Sequence, residues 1–177
     1  MDNKLSTPTI VLHWLTGLLF IGVLAFGLYV EELPKGDEKL EMLALHKSFG
    51  ITVLCFAFAR LLWRLKEGEI THVAELSKVQ ELTAKSVHMV LLIGTLLMPI
   101  SGLMMSIGGG HGAALFGFEL YPKSEKIEWM GSLGHDIHGP AAWLLLVTLL
   151  VHIAAAIKHH FIDKDKTLSR MLGRGSD

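Results

Sequence analysis

The chain predicts an all-α membrane protein, a transmembrane four-helix bundle running up-down-up-down, and three observations carry that expectation. Mean hydropathy is +0.46, with 51% hydrophobic and 19% charged residues, too apolar for an ordinary soluble domain of 177 residues. The apolar residues fall in four blocks, about 9–30, 43–65, 82–107 and 138–162, each near the ~20 residues that cross a hydrocarbon core. The connections between blocks are short, so residues 1–177 are expected to form a single domain embedded in the lipid bilayer, with no nucleic-acid partner.

The first block contains His13 and Trp14 and has no small-residue cleavage site before Glu31, so it reads as a retained span rather than a signal peptide. Pro34 and Gly36 break the first outer loop, about 31–42. His46, Gly50 and Cys55 lie in the second block, and a single cysteine allows no intramolecular disulfide. The charged inner loop, about 66–81, reads as partly helical. His88 and Pro99 lie in the third block, where Pro99 should kink the helix and Ser101 and Gly102 should permit close packing. A long second outer loop follows. It opens on Gly108, Gly109 and Gly110, holds Tyr121 and Trp129, and is expected to cap the outer end of the bundle at the interface. The last block carries His138 and His152.

Charge gives the orientation. Of the 16 Lys and Arg residues, eleven fall on one side: Lys4, Arg60, Arg64, Lys66, Lys78, Lys85, Lys158, Lys164, Lys166, Arg170 and Arg174. The other five are Lys35, Lys39, Lys47, Lys123 and Lys126. The positive-inside rule therefore puts both termini of a multi-pass membrane protein in the cytoplasm. Nine acids face outward (Glu31, Glu32, Asp37, Glu38, Glu41, Glu119, Glu125, Glu128 and Asp136), an asymmetry hidden by the net charge of -1.

The histidines point to chemistry. His138 and His152 are fourteen residues apart, almost four whole turns, so both leave one face of the last helix about 20 Å apart along its axis. Ionisable residues inside spans are expensive and usually mark a cofactor or ion path. By depth His46 faces His138, while His152 faces either His13 or His88. Two opposed neutral imidazoles suit the iron of a low-spin haem. A porphyrin lying on a helix needs a small residue one turn from its ligand. Gly17 follows His13 at that spacing, Gly50 follows His46, Ala142 follows His138 and Ala156 follows His152, whereas Leu92 follows His88. The pattern favours His13 with His152 on an inner haem and His46 with His138 on an outer one. His72 and His111 lie in loops and read as ordinary surface residues.

This ordered set resembles the bacterial cytochrome b561 family, small four-helix dihaem cytochromes of the inner membrane. The likeness covers nearly the whole chain: His13-Trp14, His46 with Gly50, the stretch ARLLWR from Ala59 to Arg64, the MPISGLMM run of the third block, His138, His152, and the closing HHF and DKTLSRM. The resemblance implies two non-covalent haems b, the first and last of these histidines on one and the middle two on the other. It also implies electron transfer between the ubiquinone pool and a one-electron partner at the periplasmic face, in its sharpest form superoxide oxidation coupled to ubiquinone reduction.

Such an activity assigns further residues. Five lysines against nine acids leave the outer face negative, so a superoxide anion needs a local positive funnel from Lys47 and Lys123, with Lys39, Lys126 or a protonated His111 as additional candidates. A quinone carbonyl needs a donor that passes a proton, for which His88 and His159 are the inner candidates, with Thr9 at similar depth. Arg60 and Arg64 suit haem propionates, since guanidinium binds carboxylates as a bidentate fork. Two other readings compete. The chain would serve as a haem-bearing membrane anchor carrying electrons for a separate redox enzyme if it copurified with one, and as a metal transporter if it bound no haem.

Overall fold

A computed structural model describes residues 4–68 and 77–174; residues 69–76 of the inner loop, His72 among them, lie outside the described residues. Helix α1 (Thr7–Glu32) begins where Ser6 Oγ accepts the Thr9 N–H at 3.3 Å and Pro8 occupies the first turn. Helix α2 (Asp37–Glu67) sets Asp37 and Glu38 at the positive end of its dipole and closes at Gly68, whose φ is +84°. A capping box starts α3 (Lys78–Gly108): Ser77 Oγ accepts the Gln80 N–H and Gln80 Oε1 accepts the Ser77 N–H. Pro99 sits inside α3 without ending it.

Helix α4 (Glu128–Phe161) starts ten residues before the apolar block, so Trp129 belongs to its first turn and not to the outer loop. The difference has a simple cause. Hydropathy marks the length buried in lipid, while the helix itself continues outward through polar residues such as His135 and Asp136. The outer loop between α3 and α4 contains a hairpin, β1 (Ala113–Leu115) antiparallel to β2 (Phe118–Tyr121). Phe116 (φ +48°) and Gly117 (φ +89°) make its turn, the double positive φ that matches the strand twist. Phe116 is held there because its N–H donates to Ser48 Oγ at 3.0 Å and its ring meets Phe49 edge-on at 5.2 Å. A short helix α5 (Thr167–Met171) lies beyond α4.

Among the described residues, α1 to α4 are each long and apolar enough to cross a membrane. Sequential helices pack side by side, and α3 against α4 is the closest pair. Small residues let those two backbones meet: a Cβ on Gly134 would stand 2.7 Å from both Met105 N and Ser101 O. The centre of the bundle is filled by Phe20 and Leu24 of α1, Val53 of α2, Met98 of α3 and Leu145 of α4. Leu145, 2% exposed, packs directly on the bare backbone of Gly94. It is seven residues from both His138 and His152, so an apolar layer separates the two depths at which α4 presents imidazoles.

Candidate functional site

At the outer depth, α2 and α4 bring His46 and His138 together with ring centroids 6.4 Å apart and planes at 89°. His138 Nδ1 lies 3.0 Å from Met98 O and 3.0 Å from Ser101 Oγ. A carbonyl only accepts, so Nδ1 carries the proton and Nε2 keeps its lone pair for a ligand. His46 Nδ1 is buried with no hydrogen-bond partner among the described residues. Neighbouring helices leave room for these rings: a Cβ on Gly27 would stand 2.7 Å from His46 Cε1, and one on Gly102 would stand 3.1 Å from His138 Cε1.

At the inner depth three histidines meet. His13 of α1 and His152 of α4 have centroids 6.2 Å apart, and His88 of α3 approaches His152 to 5.3 Å. Arg60 Nη2 lies 3.3 Å from His13 Nδ1, which places the guanidinium beside this cluster. Thr16 is fully buried one turn along α1, and its Oγ1 also lacks a partner among the described residues. Next to His13, Trp14 Nε1 donates to Met171 O at 2.7 Å, pinning α5 against the inner end of α1.

These residues fit haem on three counts. Imidazoles on opposite sides of one metal, with bonds of about 2.0 Å, have centres roughly 6 Å apart, as in the His46–His138 pair at 6.4 Å and the His13–His152 pair at 6.2 Å. A buried polar atom without a partner costs about 1–3 kcal/mol, and His46 Nδ1 is one that a ligand would satisfy. A Cβ on Gly17 or on Gly50 would meet nothing within 4 Å, so both helix surfaces stay open beside their histidines.

Other sequence candidates are distributed unevenly. Lys47, His111 and Lys123 line one pocket of about 240 Å³ on the outer side, with Ser48, Glu119 and Tyr121. Lys39 is turned away, donating to Glu31 O and Leu33 O at 2.9 Å each. Lys126 is not among the pocket's lining residues. Arg64 Nη1 donates to Gly68 O and so caps α2. Thr9 Oγ1 faces α2, accepting from Trp63 Nε1 at 3.0 Å and donating to Glu67. His159 Nδ1 lies 2.6 Å from Asp165 Oδ2. Sequence reasoning missed Gly27, the Met98 carbonyl and Asp165. The first two act across helix interfaces, which no spacing along one helix reveals.

Four spanning helices that hold opposed imidazoles at two depths describe a transmembrane electron-transfer protein. The family model described as prokaryotic cytochrome b561 matches residues 4–174. Cytochrome b561 homolog 2 of Escherichia coli (strain K12) is 32% identical over 170 residues, covering 93% of this chain and 88% of that protein. Cytochrome b561 homolog 1 of the same organism is 30% identical over 174 residues, covering 97% and 98%. A probable superoxide oxidase of Yersinia pestis is 26% identical over 173 residues, with 97% of each chain covered. The chain belongs to the prokaryotic cytochrome b561 family, and with that membership come haem b, a multi-pass place in a bacterial membrane and electron transfer across it.

Proposed function

We propose that the protein, a single domain with both termini in the cytoplasm, oxidises superoxide at its outer face and reduces ubiquinone at its inner face through two haems b. The observation that carries this reading is the outer pocket, where Lys47, the residue after His46 in the chain, gathers with His111 and Lys123. It gives an anion a local positive approach on a face that is otherwise net negative. Lys47 Nζ donates to Ser106 Oγ at 3.2 Å, which holds the ammonium at the seam of α2 and α3. The name of the Yersinia pestis relative points the same way.

Electrons and protons balance. Two superoxide anions each lose one electron and become dioxygen, while one ubiquinone gains both electrons and two cytoplasmic protons. When bound, the haems supply a one-electron redox couple at each depth. The chain's residues do the rest. His46 and His138 hold the outer haem, with His138 oriented by Met98 O and Ser101 Oγ. His13 and His152 hold the inner one; the 5.3 Å approach of His88 to His152 is tighter than an iron between two imidazoles requires, which supports a separate role for His88. Gly17 and Gly50 leave the helix surface low beside their haems. Arg60 stands beside His13 to pair with propionates, while Arg64 serves the end of α2. His88 and His159 serve the quinone.

Rapid mixing tests the scheme. Superoxide should reduce the haems of the oxidised protein, and a water-soluble ubiquinone should then reoxidise them. Reduction by ubiquinol with none by superoxide would sink the proposal and leave the membrane-anchor electron carrier, passing electrons outward, as the better account.

A further inference from the structure

His159 ends the row of imidazoles on α4. It follows His152 by seven residues, two turns, so it extends the same face about 10 Å further toward the inner surface. Past the helix the chain turns back through Lys164, whose φ is +52°, and returns Asp165 beneath His159. Two bonds join these residues: Asp165 N–H donates to His159 O at 3.0 Å, and His159 Nδ1 lies 2.6 Å from Asp165 Oδ2. The other carboxylate oxygen, Oδ1, accepts the Thr167 N–H at 2.8 Å, so the carboxylate is fixed at both ends. The two side chains are 24% and 13% exposed, partly withdrawn from water.

The surrounding charges single out Asp165. Asp163 also approaches His159 Nδ1, at 3.4 Å, but the Lys158 ammonium sits 2.5 and 2.8 Å from its two oxygens and neutralises it. That same ammonium already engages Asp163, one of the three groups, with His159 and Asp165, close enough to share a cation. Against partial burial, which would raise it, the Thr167 amide and hydroxyl and the His159 ring hold the Asp165 carboxyl below its usual range. Asp165 is thus an ionised acceptor facing a ring nitrogen, an arrangement that puts a proton on Nδ1 and aims Nε2 away from the carboxylate.

We propose that Asp165 is the positioning residue of a proton-delivering dyad, holding His159 so that its Nε2–H protonates the quinone oxygen as electrons arrive. The inference rests on the reading of the inner face as a quinone site. As each O–H bond forms on an oxygen electron pair the C=O bond becomes single, the two electrons given up by superoxide outside complete the aromatic ring of the quinol, and His159, having given up its Nε2 proton, recovers one from cytoplasmic water. Asp165 keeps its charge throughout and stabilises the imidazolium.

The test uses the purified haem-loaded protein and its Asp165→Asn and Asp165→Glu variants. Asparagine retains an oxygen for the Thr167 amide but offers no charge to His159. Asp165→Asn should slow ubiquinone-1 reoxidation of reduced haem at saturating quinone by about 100-fold, as expected for loss of a general acid, with KM within about twofold. Asp165→Glu should recover most of that loss. Superoxide-driven reduction and haem content should match the parent protein. Independently of turnover, ¹⁵N spectra of ring-labelled protein, with His159→Asn as the assigning control, should show His159 protonated at Nδ1 in the parent and losing that tautomer in Asp165→Asn. Asp165→Asn protein reoxidised at the parent rate would overturn the dyad while leaving the quinone reading intact. A parent protein that ubiquinone-1 fails to reoxidise would overturn both. Loss of the parent's reoxidation on adding a chelator would assign the trio to a metal and overturn the dyad as well.

Discussion

The ring of His138 is held from one side by Met98 O and Ser101 Oγ, whereas His46 Nδ1 has no partner among the described residues, so the outer pair is half fixed by the protein alone. Replacing His46 or His138 by alanine should remove chiefly the outer haem, and replacing His13 or His152 chiefly the inner one, because an iron left with one protein ligand is bound more weakly. His88→Ala should keep both. Pyridine haemochrome assay with protein quantitation reads the result; His88→Ala losing a haem while His13→Ala keeps both would reverse the pairing. Charge acts at the same scale. Lys47→Glu with Lys123→Glu should slow superoxide-driven reduction severalfold at low salt, and the deficit should shrink as ionic strength screens the pocket. An unchanged rate at low salt would remove that pocket from the path. That His138 and His152 leave one face of α4 was legible in the sequence because 14-residue spacing is a property of a single helix. Asp165 was not, because it reaches His159 only through the left-handed turn at Lys164.

Among the elements, α1 serves the outer site through an absence. Gly27 gives the His46 ring its room, and a Cβ there would stand 2.7 Å from Cε1. Gly27→Ala should therefore shift the spectrum and lower the thermal stability of the outer haem alone, while Gly22→Ala, with nothing within 4 Å, should change neither. Equal effects from both variants would show that ring packing at Gly27 is immaterial. The spans themselves were readable from hydropathy, but α4's outer three turns and the hairpin were not. Packing of Gly131 and Gly134 against the end of α3 carries α4 out past the lipid, and the hairpin depends on Phe116 being held at positive φ by Ser48 and Phe49, partners almost seventy residues earlier.

For the whole molecule, direction is a matter of which face receives the donor. In sealed proteoliposomes with the lysine-poor side outward, superoxide generated outside should reduce the haems, and the same flux generated inside should leave them oxidised until it leaks across. Protease or impermeant-label access to a tag after Arg174 should be confined to vesicles of the opposite orientation. Reaction from the tagged side would invert the topology drawn from eleven basic residues against five. Between the two faces, the layer of Phe20, Leu24, Val53, Met98 and Leu145 keeps water out of the middle of the bundle.

Helix α4 contributes one histidine to each pair, and it is the last of the four spans in chain order. On the proposed ligation, biogenesis inherits a constraint from this arrangement. While the first three spans are being threaded into the bilayer no haem can acquire both its ligands, so neither pocket competes for free haem during synthesis. Both become competent at the same moment, when one final segment enters. Cofactor loading is thereby tied to completed insertion, and a chain stalled before its fourth crossing carries no half-built redox wire into the membrane.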